Sequence, residues 1–94
     1  MNTIVLPERF DFSYHSTFSD VYPKVLGNGE QSAVMLDFSR VNYIDSSALG
    51  MMVLVNKKAK ALGRDVVLAN VKGAALEVLT IANFQQMFAF DNGD

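Results

Sequence analysis

Apolar positions recur along this chain in two alternating rhythms. Residues 3–6 are a short apolar run stopped by Pro7, and Arg9-Phe10-Asp11-Phe12 alternates polar with apolar. A period of two is that of a half-buried strand, and a proline within such a pattern argues for an edge or a bend. The segment therefore reads as one interrupted strand or two short ones. Over residues 13–26 the period lengthens: Phe18, Val21, Tyr22, Val25 and Leu26 fall at helical spacing, with Ser13 or Ser16 as the candidate N-cap. Pro23 loses a hydrogen bond in a helix interior. Either the helix kinks there, or a short helix begins near Ser19. Gly27-Asn28-Gly29 ends the element, since Gly and Asn tolerate positive φ.

Residues 33–38 form a continuous apolar run with one acid, Asp37, which suits a strand covered on both faces. Residues 39–44 connect it to a long helix over 48–62, ended by Gly63. Met51, Met52, Val55, Ala59 and Leu62 share its predicted core face, and Leu49, Val53 and Asn56 lie on the neighbouring stripe. Residues 66–69 are a second buried-strand pattern. Residues 71–81 read as a short helix with Ala75, Leu76, Leu79 and Ala82 inward and Gly73 as its boundary. Residues 87–90 read as a last strand and candidate sheet edge, and 91–94 as a polar, frayed tail. Strands that alternate with helices mean an α/β fold with right-handed crossovers. The expectation is one domain over residues 1–94, with a mixed, mostly parallel sheet of four to five strands packed with helices. The pattern leaves open whether helices cover one face or both.

Composition narrows the function classes. Half the residues are hydrophobic and 19% are charged, which is enough apolar material for a core. The net charge is −2 and no basic run is present, which argues against nucleic-acid binding. The densest basic cluster, Lys57, Lys58 and Lys60, reads as a solvated helix face. There is no cysteine, so disulfides and thiolate chemistry are absent. The N-terminus lacks a signal-peptide pattern. No apolar run approaches the roughly 20 residues that span a bilayer. A soluble cytoplasmic protein without a membrane partner is expected.

The search for chemistry is mostly negative. His15 is the only histidine, and its spacing to Ser46 supports no triad. One histidine and no cysteine argue against a zinc site. Gly27-Asn28-Gly29 is turn chemistry and not a phosphate loop. The carboxylates are scattered, so neither a cofactor nor a catalytic residue is expected. What remains is Val41-Asn42-Tyr43-Ile44-Asp45-Ser46-Ser47-Ala48-Leu49-Gly50, which follows a strand and opens the long helix. Asp45 and the serines suit a helix cap. A helix N-terminus also favours an anion, so a hydroxyl there can accept a phosphate without straining the helix. Leu49 and Val53 follow as apolar residues beside the core face. Plain capping and a modifiable docking surface are both open on these residues.

The same residues resemble the STAS domain of bacterial anti-sigma factor antagonists. The resemblance lies in Asp45-Ser46-Ser47-Ala48-Leu49-Gly50 after a strand ending in Asp37-Phe38-Ser39, and it continues through Gly63-Arg64 and Leu79-Thr80-Ile81-Ala82-Asn83-Phe84. Arg9-Phe10-Asp11 is similar to the family's segment before its first helix. The usual Gly after the two serines is Ala48 here. The resemblance implies a small α/β sheet and a binding role without catalysis. The unphosphorylated domain would bind an anti-sigma factor that is a serine kinase. Phosphorylation of Ser46 would release it, and a serine phosphatase would restore binding. Asp45, Ser47, Leu49 and Val53 would line the contact. A monomer is expected, with a dimer left open by the candidate sheet edge at residues 87–90. Two rivals remain: a non-phosphorylated STAS scaffold subunit of a larger regulatory complex, and an enzyme with Ser46 as nucleophile. The second lacks a visible base or oxyanion donor.

Overall fold

The computed structural model describes residues 2–91. Four parallel strands form the main sheet in the order β1 (Thr3–Val5), β3 (Val34–Asp37), β5 (Val66–Ala69) and β6 (Ala89–Asp91). A second, two-stranded parallel sheet pairs β2 (Arg9–Phe10) with β4 (Tyr43–Ile44). The interrupted N-terminal pattern is therefore two short strands, split by Pro7 between two sheets. Three helices alternate with the strands: α1 (His15–Leu26), α2 (Ser46–Ala61) and α3 (Gly73–Ile81). The small α/β class and the mostly parallel sheet are as expected from the sequence, and every strand pairing is parallel.

The strand order decides which face is covered. The chain steps across the main sheet in one direction, and right-handed crossovers then carry the helices to the same side. The register row Ile4, Leu36 and Leu68 is buried beneath them, with Phe90 half-buried at the edge. The alternate row runs Thr3, Met35, Val67 and Ala89, and is half-exposed to exposed. The molecule is accordingly 20 Å thick in its shortest dimension, two layers deep. This corrects the reading of residues 33–38 as a strand covered on both faces: Val34 and Leu36 are buried, whereas Met35 and Asp37 are only half so. A continuous apolar run does not distinguish the two cases.

Element boundaries moved where side-chain caps and turns decide them. A 3-10 turn over Phe12–Tyr14 leads into α1, and its N-cap is Asp11 rather than either serine. Pro23 sits inside α1 in its last turn, and the Gly27 N–H donates to the Pro23 carbonyl to close the helix. In α2, Met51, Met52, Val55 and Ala59 are buried as expected, but Leu62 lies just past the helix and is 52% exposed. In α3, Ala75 and Leu79 are buried, whereas Leu76 and Ala82 face out. A second 3-10 turn, Phe84–Gln86, precedes β6, so Phe88 is core and the strand ends at Asp91. The rest of the expected tail, residues 92–94, lies outside the described residues.

Arg64 holds the far end of this fold together. Gly63, at φ +71°, ends α2 in the left-handed conformation, with Gly63 N–H donating to Lys60 O and Arg64 N–H to Ala59 O. That turn sends the Arg64 side chain inward, where the residue is 1% exposed. Its guanidinium donates to the carbonyls of Val25 and Leu26 at 3.0 Å each and of Ser32 at 2.9 Å, and to the side-chain oxygens of Asn28 and Asn2. The C-terminus of α1, the turn before β3 and the segment before β1 thus meet on one cation. Carbonyls at a helix C-terminus carry partial negative charge, which suits a guanidinium.

Arg64→Met should cost about 3–5 kcal/mol of unfolding free energy, because several buried acceptors lose their donor together. Urea unfolding followed by circular dichroism measures it. Asp65→Asn, which touches only the exposed pair with Lys60, should change stability by less than about 1 kcal/mol.

Candidate functional site

The motif at the start of α2 is built on the small sheet at the opposite end. The strands β2 and β4 pair with Arg9 opposite Tyr43 and Phe10 opposite Ile44. Phe10 and Ile44 are buried and anchor the ribbon to the core. Each strand then ends in an aspartate that starts a helical segment from extended backbone: Asp11 at φ −141° and Asp45 at φ −132°. The register sets these two caps side by side.

Asp45 completes the α2 cap by itself. Its Oδ1 accepts the N–H of Ser47 at 3.0 Å and of Ala48 at 3.3 Å. Ser46 follows as the first helical residue and is exposed, while Ser47 is half-buried and contributes its backbone N–H to the cap. The capping role thus belongs to Asp45, and the Ser46 hydroxyl is not needed for it. Gly50 and Val53 continue the exposed stripe from Ser46, with open space beside Gly50 where a side chain would stand. Val53 is 41% exposed, whereas Leu49 is half-buried and packed against the core. Of the residues singled out in the sequence, Asp45, Ser46 and Ser47 therefore share one helix start. Val53 shares the exposed stripe with Ser46, and Leu49 lies largely inside.

The neighbouring strand adds residues to which the sequence assigned no place in the site. The Arg9 guanidinium lies 4.3 Å from the centre of the Tyr43 ring and pairs with Asp11 at 3.0 Å. Asp11 also accepts from the backbone and hydroxyl of Ser13. The hydrogen bond from the Ser13 hydroxyl holds the Asp11 carboxyl below its usual range, against the opposing effect of burial. Phe12 is 69% exposed and stacks on His15 with ring centres 5.4 Å apart. The partial strand pattern at Arg9-Phe10-Asp11-Phe12 was visible in the sequence. Its pairing with Tyr43 was not, because two-residue strands carry too little periodicity to announce a partner.

The chemistry on offer is that of a surface rather than of a cleft. His15 is engaged with Phe12, and among the described residues it makes no hydrogen bond to Ser46. No group of three or more His, Cys, Asp or Glu able to hold a metal occurs among the described residues. No helix of the described residues is long and apolar enough to cross a membrane.

Comparison with known proteins bears on the family and the fold. A family model described as "Mlab, STAS domain" matches residues 2–89. This chain belongs to the STAS-domain family. A STAS-domain-containing protein of Pseudomonas aeruginosa is 37% identical over 86 residues, spanning 92% of this chain and 83% of the relative. A crystal structure of a Thermotoga maritima protein, described as a candidate anti-sigma factor antagonist, superposes with a TM-score of 0.81 at 21% identity, covering 97% of this chain and 80% of that one. An NMR structure of the protein TM1081 gives a TM-score of 0.80 at 21% identity, covering 96% and 72%. At that identity the two structures speak for the fold, and the STAS fold is the one described above.

Two stability measurements test the site geometry. Asp45→Ala in this STAS domain should cost about 1 kcal/mol through loss of the cap, whereas Ser46→Ala should stay within about 0.5 kcal/mol; chemical denaturation separates them. The second uses pH. The Asp11 carboxyl is depressed in the folded state, so its contribution to stability is present above the ordinary carboxylate value, about 3.9, and is lost as pH falls through the lower folded value. The stability gap between wild type and Asp11→Asn should therefore be widest near neutral pH and close on acidification below about pH 4. Urea midpoints across that range report it.

Proposed function

We propose that this STAS domain, taken as one unit over residues 1–94, is an anti-sigma factor antagonist that works by reversible partner binding, with Ser46 as the phosphorylated switch. The observation that carries the reading is the exposed Ser46 at the first turn of α2, where Asp45 already completes the cap. The hydroxyl can change its chemistry without disturbing the helix. Asp45, Ser47, Leu49 and Val53 frame the contact, and Gly50 leaves room for close approach.

The physics of such a switch is direct. Phosphorylation adds about −1.5 to −2 charges and strong acceptor oxygens. A helix N-terminus tolerates that anion in the free domain. In a docked, partly apolar interface the same group is desolvated without a partner, at a cost of several kcal/mol. Moving a binding equilibrium from 1:99 to 99:1 takes about 5.5 kcal/mol, which an unpaired interfacial phosphate can supply. The partner under this reading is an anti-sigma factor with serine kinase activity, and a serine phosphatase reverses the modification. The domain acts as a cytoplasmic, monomeric binding protein in transcription regulation, not as an enzyme. The exposed side chain of Val53 is compatible with a second reading, a scaffold subunit that uses the same face without modification.

Affinity capture from source-cell lysate with wild-type, Ser46→Ala and Ser46→Asp baits, read by mass spectrometry, tests the switch. The expected result is a kinase-like anti-sigma factor held by the first two and lost by the third. The same partners on all three baits would remove the switch and leave the scaffold.

A further inference from the structure

The exposed stripe of α2 does not stop at Val53. Ser46, Gly50, Val53, Leu54, Lys57, Lys58 and Ala61 all face solvent, and each has another of the set three or four residues away, so they form one continuous face. At 1.5 Å per residue it is about 24 Å long. Its character changes along its length. Val53 and Leu54, 41% and 40% exposed, are an apolar middle. Lys57 and Lys58 follow. Beyond them the end of α2 and the last turn of α1 enclose a cleft of about 380 Å³, lined by Tyr22, Pro23, Leu26, Lys58, Ala61 and Leu62 among others. Leu62, 52% exposed, forms an open wall of this cleft.

Charge adds to the apolar pattern on this face. The chain carries a net charge of −2, yet two adjacent lysines stand exposed on this face, and Lys58 lines the largely apolar cleft. Arg9 pairs with Asp11 and Lys60 with Asp65, while Lys57 and Lys58 stand exposed with no carboxylate partner among the described residues. The helix dipole favours cations in the last turn of α2 and so accounts for Lys58 and Lys60. It does not account for Lys57, or for the bare Leu54 and Leu62 on either side of the lysines. Apolar positions at helical spacing with an uncompensated basic flank are complementary to an amphipathic helix with acidic flanks.

We propose that the solvent face of α2, from Val53 to the α1–α2 cleft, docks an acidic amphipathic helical segment of a partner protein. An apolar side chain of that segment fills the cleft against Tyr22, Leu26 and Leu62, and its carboxylates pair with Lys57 and Lys58. The inference rests on the reading of α2 as a partner-binding helix, and extends it about four turns from Ser46. Steering by the two lysines also makes the contact sensitive to salt.

The test uses a probe peptide in place of the partner, so that it stands or falls apart from the switch at Ser46. ¹⁵N-labelled full-length protein is titrated with a designed amphipathic helical peptide of leucine and glutamate, with its counterpart carrying lysine for every glutamate, and with laurate. The expected result is that the acidic peptide shifts the amide resonances of Tyr22, Leu26, Leu54, Lys58 and Leu62, and that the basic peptide does not. Lys57→Glu combined with Lys58→Glu should weaken the acidic peptide about tenfold or more. Leu62→Asn should weaken it while leaving the spectrum otherwise that of a folded domain. Equal binding of both peptides, shifts elsewhere, no shifts, or indifference to the lysine reversal would overturn the proposal. Laurate shifting the cleft residues where the acidic peptide does not would overturn it in favour of an anionic amphiphile. Ser46→Asp should bind the acidic peptide as wild type does, which separates this surface from the switch.

Discussion

A buried guanidinium with carbonyls for partners is the constraint on which the rest of this small domain depends. Among the described residues Arg64 has no carboxylate as a direct hydrogen-bond partner; it is surrounded by the carbonyls of Val25, Leu26 and Ser32 and the amide side chains of Asn2 and Asn28. A buried charge is tolerable only when its donors are met. Here they are met by backbone carbonyls from two stretches of chain and by the side-chain oxygens of Asn28 and Asn2. The arrangement fixes how α1 ends, how the chain enters β3, and where the N-terminal strand begins. It also works from a distance of one residue: the left-handed turn at Gly63 is what turns Arg64 inward.

The far end of the molecule is ordered by a different device. Two short parallel strands, each closed by an aspartate, set the start of the Phe12–Tyr14 turn beside the start of α2. Buried Phe10 and Ile44 tie them to the core, and Arg9 bridges Asp11 to the face of Tyr43. Aspartate as the cap has a chemical consequence. The carboxylate satisfies the first N–H groups of α2, so the adjacent serine hydroxyl stays outside the structural hydrogen bonding. Stability and modifiable chemistry are divided between neighbouring residues. Under the proposed switch, a change at Ser46 would alter the surface and leave the scaffold in place.

Much of the fold was legible in the chain. The alternation of strand and helix rhythms placed all three helices, and Asp45-Ser46-Ser47 marked the start of α2 because capping chemistry is local. Gly63 marked its end for the same reason. The errors have two causes, one tertiary and one local. Leu62 and Leu76 have the residue type of core positions but stand where the neighbouring element does not reach them. Ser13 and Ser16 have capping chemistry, but Asp11 precedes them and caps the turn from within an alternating, strand-like pattern.

The sequence by itself determined what local periodicity, capping and turn chemistry can specify: the order of elements, the core faces of α2 and α3 in outline, and the serine at a helix start. The tertiary structure decided what depends on residues far apart in the chain. The β2–β4 pairing brings Arg9 to Tyr43 across 34 positions of sequence. Arg64 reaches Asn2 across 62. The one-directional strand order leaves one face of the sheet open. No local pattern encodes any of these. A side chain's neighbours across the fold are set by how whole elements pack, and an apolar run reads the same whether one face of its sheet or both are covered.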